Sequence, residues 1–118
     1  MTTINSDMMS SIDRPETVVA RTAAEWQALW QRHAQGRPAP SVDFARNMVV
    51  GVFLGSRPSG GYQVEITGVR TDGKTLVVQW AERRPGPGQM AAQVMTAPAH
   101  IVTVPRQDGE VRFEKTGQ

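Results

Sequence analysis

The chain has 118 residues with a formal net charge of +2, 39% hydrophobic and 20% charged residues, and no cysteine, which fits one domain around a single packed core. The lack of cysteine excludes a disulfide framework, a thiol nucleophile and cysteine-ligated zinc, and no apolar run approaches the roughly 20 residues a membrane-spanning helix needs. Eleven arginines stand against two lysines, but they are scattered and the longest basic run is Arg83-Arg84, so the charge pattern weighs against a nucleic-acid patch.

Residues 1–14 read as a flexible polar tail, followed by one domain over 15–118. The opening MTTINSDMMSS lacks the apolar segment of a secretory signal. The chain is therefore expected to be cytoplasmic unless a leader has been removed. Thr17 to Ala20 reads as a short strand. Thr22-Ala23-Ala24-Glu25 then has the form of a capping box, in which hydroxyl and carboxylate satisfy orphan helix amides. Trp26, Leu29, Trp30 and His33 follow at i, i+3, i+4 and i+7, one face of an amphipathic helix that Gly36 and Pro38 end. That stripe should lie across a sheet.

Met48 to Leu54 is almost continuously apolar, as a central strand covered on both faces would be. Tyr62 to Arg70 alternates, with Tyr62, Val64 and Ile66 on one side, and Thr75 to Glu82 sets Leu76, Val78 and Trp80 on one face. Asp72-Gly73 between them is a two-residue hairpin signal. Its unbroken register would put Glu65 on the core face opposite Trp80. One extra residue repairs the parity, and a bulge at Thr67-Gly68-Val69 with Gly68 left-handed is expected. An apolar stretch from Val94 to Val104 is broken at Pro98, and Glu110 to Lys115 adds a final strand after the Asp108-Gly109 turn. The fold expected is mainly β (α+β): an antiparallel sandwich-like domain of about six strands with one helix across it.

Two connections stand out. Ser56-Arg57-Pro58-Ser59-Gly60-Gly61-Tyr62 holds the only tyrosine, and Arg83-Arg84-Pro85-Gly86-Pro87-Gly88-Gln89 alternates proline and glycine. Antiparallel pairing of the flanking strands puts both at one end of the sheet. Arg57, Pro58, Ser59, Gly60, Gly61 and Tyr62 would then neighbour Arg83, Arg84, Pro85 and Gly86 in a preformed rim for a protein partner, carrying three guanidinium groups. Proline lowers the entropy lost on docking, and Tyr and Arg are enriched at interface hot spots. Catalytic chemistry is not indicated. There is no GxSxG, P-loop or GxGxxG, His33 sits on the apolar stripe, and His100 lies in an apolar strand with no tuning partner nearby. Glu65 and Glu82 read as solvated strand carboxylates. Two histidines without cysteine are a poor metal set, and no cofactor is expected.

The ordered segments VVARTAAEWQALWQRH, MVVGVFLGSRPSGGYQVEI and LVVQWAERRPGPGQMAAQVMTAPAHIVTVP resemble the PrcB-like domain family of protease-complex subunits. Where that family shows an aromatic after the proline of the broken strand, Ala99 follows Pro98 here. The resemblance implies an extracytoplasmic, non-enzymatic accessory domain that associates with a protease. A looser similarity links SGGY to the Gly-Tyr loop of chagasin-like protease inhibitors. Other readings are a small binder of nucleic acid or anionic ligands, and a subunit that self-associates through a sheet edge.

Overall fold

The computed structural model describes residues 1–88 and 92–116. Seven strands and one helix follow in the order β1 (Thr2–Asp7), β2 (Glu16–Ala20), α1 (Ala23–His33), β3 (Asn47–Phe53), β4 (Gln63–Asp72), β5 (Thr75–Arg83), β6 (Ala99–Pro105) and β7 (Val111–Lys115). A four-stranded sheet in the order β1-β6-β3-β2 faces a three-stranded sheet in the order β4-β5-β7. The fold is the mainly β sandwich expected from sequence, with one more strand and one parallel pair, β5 with β7. The parallel direction arises because residues 106–110 carry the chain from one sheet to the other instead of closing a hairpin. Arg21 holds that crossing, its Nη2 donating to the Gly109 carbonyl at 2.6 Å.

Strand β3 is central and buried from Met48 to Leu54. Its side chains alternate between two cores. Val49 and Phe53 join Trp26, Leu29, Trp30, Ala99 and Ile101 beneath the helix. Met48, Val50, Val52 and Leu54 join Val64, Ile66, Leu76, Val78, Val102 and Val104 between the sheets. The helix thus covers one face of the larger sheet and the smaller sheet covers the other. That explains why β3 reads as a continuous apolar run. The two indoles are anchored as well as buried, with Trp26 Nε1 donating to the Pro40 carbonyl at 2.9 Å and Trp30 Nε1 to that of Arg37 at 2.8 Å.

The capping box forms with one difference. Thr22 Oγ1 accepts from the Glu25 amide, while the Glu25 carboxylate reaches back one residue further and accepts from the Arg21 amide at 2.8 Å. The hairpin also shifts by one residue. Asp72 pairs with Thr75, so Gly73 (φ 62°) and Lys74 make the turn. A bulge does occur in β4, but its extra residue is Thr67, between Ile66 and Gly68, one position ahead of the Gly68-Val69 step expected, and Gly68 is not left-handed. The parity of the hydrophobic faces demands the bulge, and the glycine's conformation does not.

One expectation is corrected. Residues 1–14 do not form a free tail, because β1 pairs with β6 from Thr2↔Thr103 to Asp7↔Ala99. Polar side chains hid this strand: Thr2, Thr3 and Ser6 are exposed along an edge. Its anchor is also polar. His33 Nε2 donates to Asn5 Oδ1 at 2.7 Å, and His33 Nδ1 accepts from Ser10 Oγ, also at 2.7 Å. The apolar stretch from Val94 is broken at Pro98, as expected. Only Ala99–Pro105 is β6, and Val94 and Met95 are exposed before the Pro98 break.

Candidate docking pole and interlayer cleft

Register places the two unusual connections side by side. Gln63 at the start of β4 pairs with Arg83 at the end of β5, so residues 56–62 and 84–88 lie at one end of the small sheet. Gln89 lies outside the described residues. The first connection is also stapled to the segment ahead of β6. Arg57 and Thr96 exchange backbone hydrogen bonds of 2.7 and 2.9 Å, the Gly60 amide donates to the Ala92 carbonyl at 2.9 Å, and Thr96 Oγ1 donates to the Ser59 carbonyl at 2.8 Å. This ladder gives the loop its rigidity, to which Pro58 adds. Pro58 is exposed, while Ser59, Gly60, Gly61, Tyr62 and Pro85 are half-buried, and Gly86 is exposed.

The three guanidinium groups do not play one role. Arg57 turns inward, its Nε donating to Glu82 Oε2 at 2.9 Å and its Nη1 to the Leu54 and Ser56 carbonyls at 2.9 and 3.1 Å. Its guanidinium also stands 5.9 Å from the centre of the Tyr62 ring. Arg83 and Arg84 remain outside, with side chains 67% and 65% exposed. Arg83 meets Glu65 at 3.0 Å and flanks a cavity of about 510 Å³ between β1, β4 and β6.

Glu82 is the feature that the sequence reading missed. Val64 opposes it across the ladder, so it continues the inward series Leu76, Val78, Trp80 and does not share a solvated face with Glu65. Its side chain is only 2% exposed. Burial pushes its carboxyl up, but the Arg57 hydrogen bond and charge, with Lys115 behind them, outweigh that and hold it below the ordinary carboxylate value. Lys115 lies at 3.3 Å and Arg84 at 3.9 Å from its other oxygen. Strict alternation along β5 was the available signal.

A second cleft of about 380 Å³ opens between β2 and β7, with Val52, Leu54, Arg57, Trp80, Glu82 and Lys115 among its walls. The Lys115 ammonium stands 5.4 Å from the centre of the half-buried Trp80 ring. Close to the rim lies an apolar patch. Among the described residues the exposed large hydrophobic side chains are Met1, Met9, Val94 and Met95. A parallel bridge joins Met9 to Ala97 and an antiparallel one joins Arg57 to Thr96, so three of the four belong to segments braided with the rim loop. An apolar Met-Met pair in a polar N-terminal context was its sequence signal.

Both histidines are hydrogen-bonded through both ring nitrogens, His33 to Asn5 and Ser10. Both His100 nitrogens are engaged: the Ile66 amide donates to Nδ1 at 2.8 Å and Nε2 donates to Thr3 Oγ1 at 2.9 Å. No group of three or more metal-binding side chains occurs among the described residues, and no described helix is long and apolar enough to cross a membrane. Among the described residues, nine of the eleven arginines lie within salt-bridge distance of a carboxylate.

No curated protein and no solved structure matches the chain. The family model described as PrcB C-terminal matches residues 48–105, which run from the central strand through both rim connections to the last residue of β6. Over that stretch, from β3 to β6, the match supports a PrcB-like domain.

Proposed function

We propose that this domain is a non-catalytic docking module for a protein partner, and that the partner belongs to a protease complex. The family name supports the second half of this reading. The observation that carries the first is the pole itself, where Met9, Val94 and Met95 stand exposed beside a loop fixed by backbone hydrogen bonds. Exposed methionines suit adaptable protein contacts, and a rigid rim with outward arginines limits the entropy lost on docking. Arg57 and Tyr62 act within the pole as its frame, while Arg83, Arg84 and the apolar side chains meet the partner. Both histidine rings are committed to holding the fold, which supports a role without catalysis.

The arginines also bear on the anionic-ligand alternative. Their carboxylate partners spread the positive charge over the surface, so the steep salt dependence of phosphate binding is not expected. The test is co-purification with the protease encoded nearest to the gene. A Met9→Ser, Met95→Ser, Arg84→Ser variant should lose the partner while keeping its circular dichroism spectrum and melting temperature. Full recovery of the partner by that folded variant would refute the site.

A further inference from the structure

The cleft between β2 and β7 shares Arg57 with the docking pole but adds Lys115 and Trp80, which the pole does not use. Its floor is apolar, made by Val52, Leu54 and the half-buried Trp80. Two cations, Arg57 and Lys115, line the cleft beside the buried carboxylate of Glu82. Glu16 also lines the cleft, but Arg32 already holds both its oxygens at 2.7 and 2.8 Å. Arg57 already spends its Nε and Nη1 donors on Glu82 and two carbonyls. Lys115 makes one longer contact of 3.3 Å to Glu82, and its side chain is 41% exposed. An ammonium has three donors, so Lys115 keeps capacity for an incoming anion.

We propose that this cleft binds the C-terminal carboxylate of a peptide whose last side chain is large and apolar. The carboxylate meets Lys115, and the side chain lies against Trp80 and Leu54. Charge complementarity selects the anion, because Lys115 keeps free donors while both lining carboxylates are already held by arginines. Size selects a terminus: about 380 Å³ is near the lower end of the roughly 300–1,000 Å³ range of ligand pockets. Within so small a space the anion and the apolar group must sit on neighbouring atoms, as they do at a chain end and not at an internal acidic residue. Edge strand β2 pairs only with β3, so its outer backbone borders the opening and can receive the preceding residues in extended form.

The probe is acetyl-Ala-Ala-Ala-Phe as the free acid, titrated into isotopically labelled protein and followed by nuclear magnetic resonance. Shifts at the Trp80 indole and the Lys115 amide are expected, with affinity at least tenfold lower for the C-terminal amide of the same peptide. Lys115→Met keeps the apolar stem and should weaken the free acid by a similar factor. Equal binding of acid and amide, or unchanged binding by Lys115→Met, would overturn the carboxylate assignment. Binding of 3-phenylpropionate as tight as that of the peptide would overturn the peptide assignment, and absence of binding would overturn the site. The inference stands apart from the docking pole. The Met9→Ser, Met95→Ser variant should bind the free acid as the parent does, so failure of either idea is visible separately.

Discussion

Acidification from about pH 7.5 to about pH 5.5 is expected to weaken the fold through its two histidines, before the carboxylates take part. His100 accepts the Ile66 amide on Nδ1, which fixes the neutral tautomer protonated on Nε2 and ties β4 to β6 and β1. His33 is fixed in the same way, accepting from Ser10 and donating to Asn5. Burial lowers the pKa of both rings below the ordinary 6.5. Asp7 opposes this at His33 while Arg37 adds to it, and Glu65 opposes it at His100. The unfolded chain therefore binds protons that the native state refuses. The contribution is complete above about pH 6.5 and is lost as the pH falls below it toward the native pKa. Each ring can remove up to about 1.4 kcal/mol per pH unit, the free-energy equivalent of one pKa unit. The pair can therefore remove up to roughly 2.7 kcal/mol over the interval. Asp7, Glu16 and Glu82 have pKa values below their ordinary 3.8 to 4.5, so their losses fall at lower pH. Urea unfolding followed by tryptophan fluorescence at several pH values measures the slope. His100→Gln should reduce that slope by about half, because one titrating ring remains. A stability flat or rising between about pH 7.5 and 5.5 would refute the neutral-ring reasoning.

Removing residues 1–9 should lower the melting temperature and expose the β6 edge, with dimerisation detected by light scattering; an unchanged melting temperature would return the segment to a tail. Glycine substitutions give a paired test. Gly55→Ala is strained at φ 78° and puts a methyl 2.8 Å from the Arg14 and Pro15 backbone, so a loss of at least about 1 kcal/mol is expected. Gly68→Ala meets nothing within 4 Å at an ordinary φ and should be neutral or stabilising by about 0.4–1 kcal/mol in the same urea assay. Glu82→Ala leaves the half-buried Arg57 without its carboxylate and should cost about 2–3 kcal/mol, with collapse of the rim visible as lost protection of the Arg57 and Thr96 amides in hydrogen exchange.

Local pattern carried much of the architecture. The helix between its Thr22 cap and its glycine stop follows from spacing alone, as do the central β3 run and the β4–β5 alternation with its bulge. In each case neighbours in sequence supply the periodic burial or the capping hydrogen bond. The adjacency of the two rim connections also follows from sequence, because a hairpin brings the start of one strand to the end of the next.

Contacts between distant segments lay beyond that reach. Strand β1 is polar and pairs with a strand nearly a hundred residues away, so no local period marks it. The inward arginine of the rim, the buried Glu82 and the braiding of Met9 with Ala97 each depend on which strands stack and which edges meet. Sequence periodicity fixes which way a side chain points from its own strand; the partners that neutralise, bury or expose it are assembled only when the two sheets close on each other.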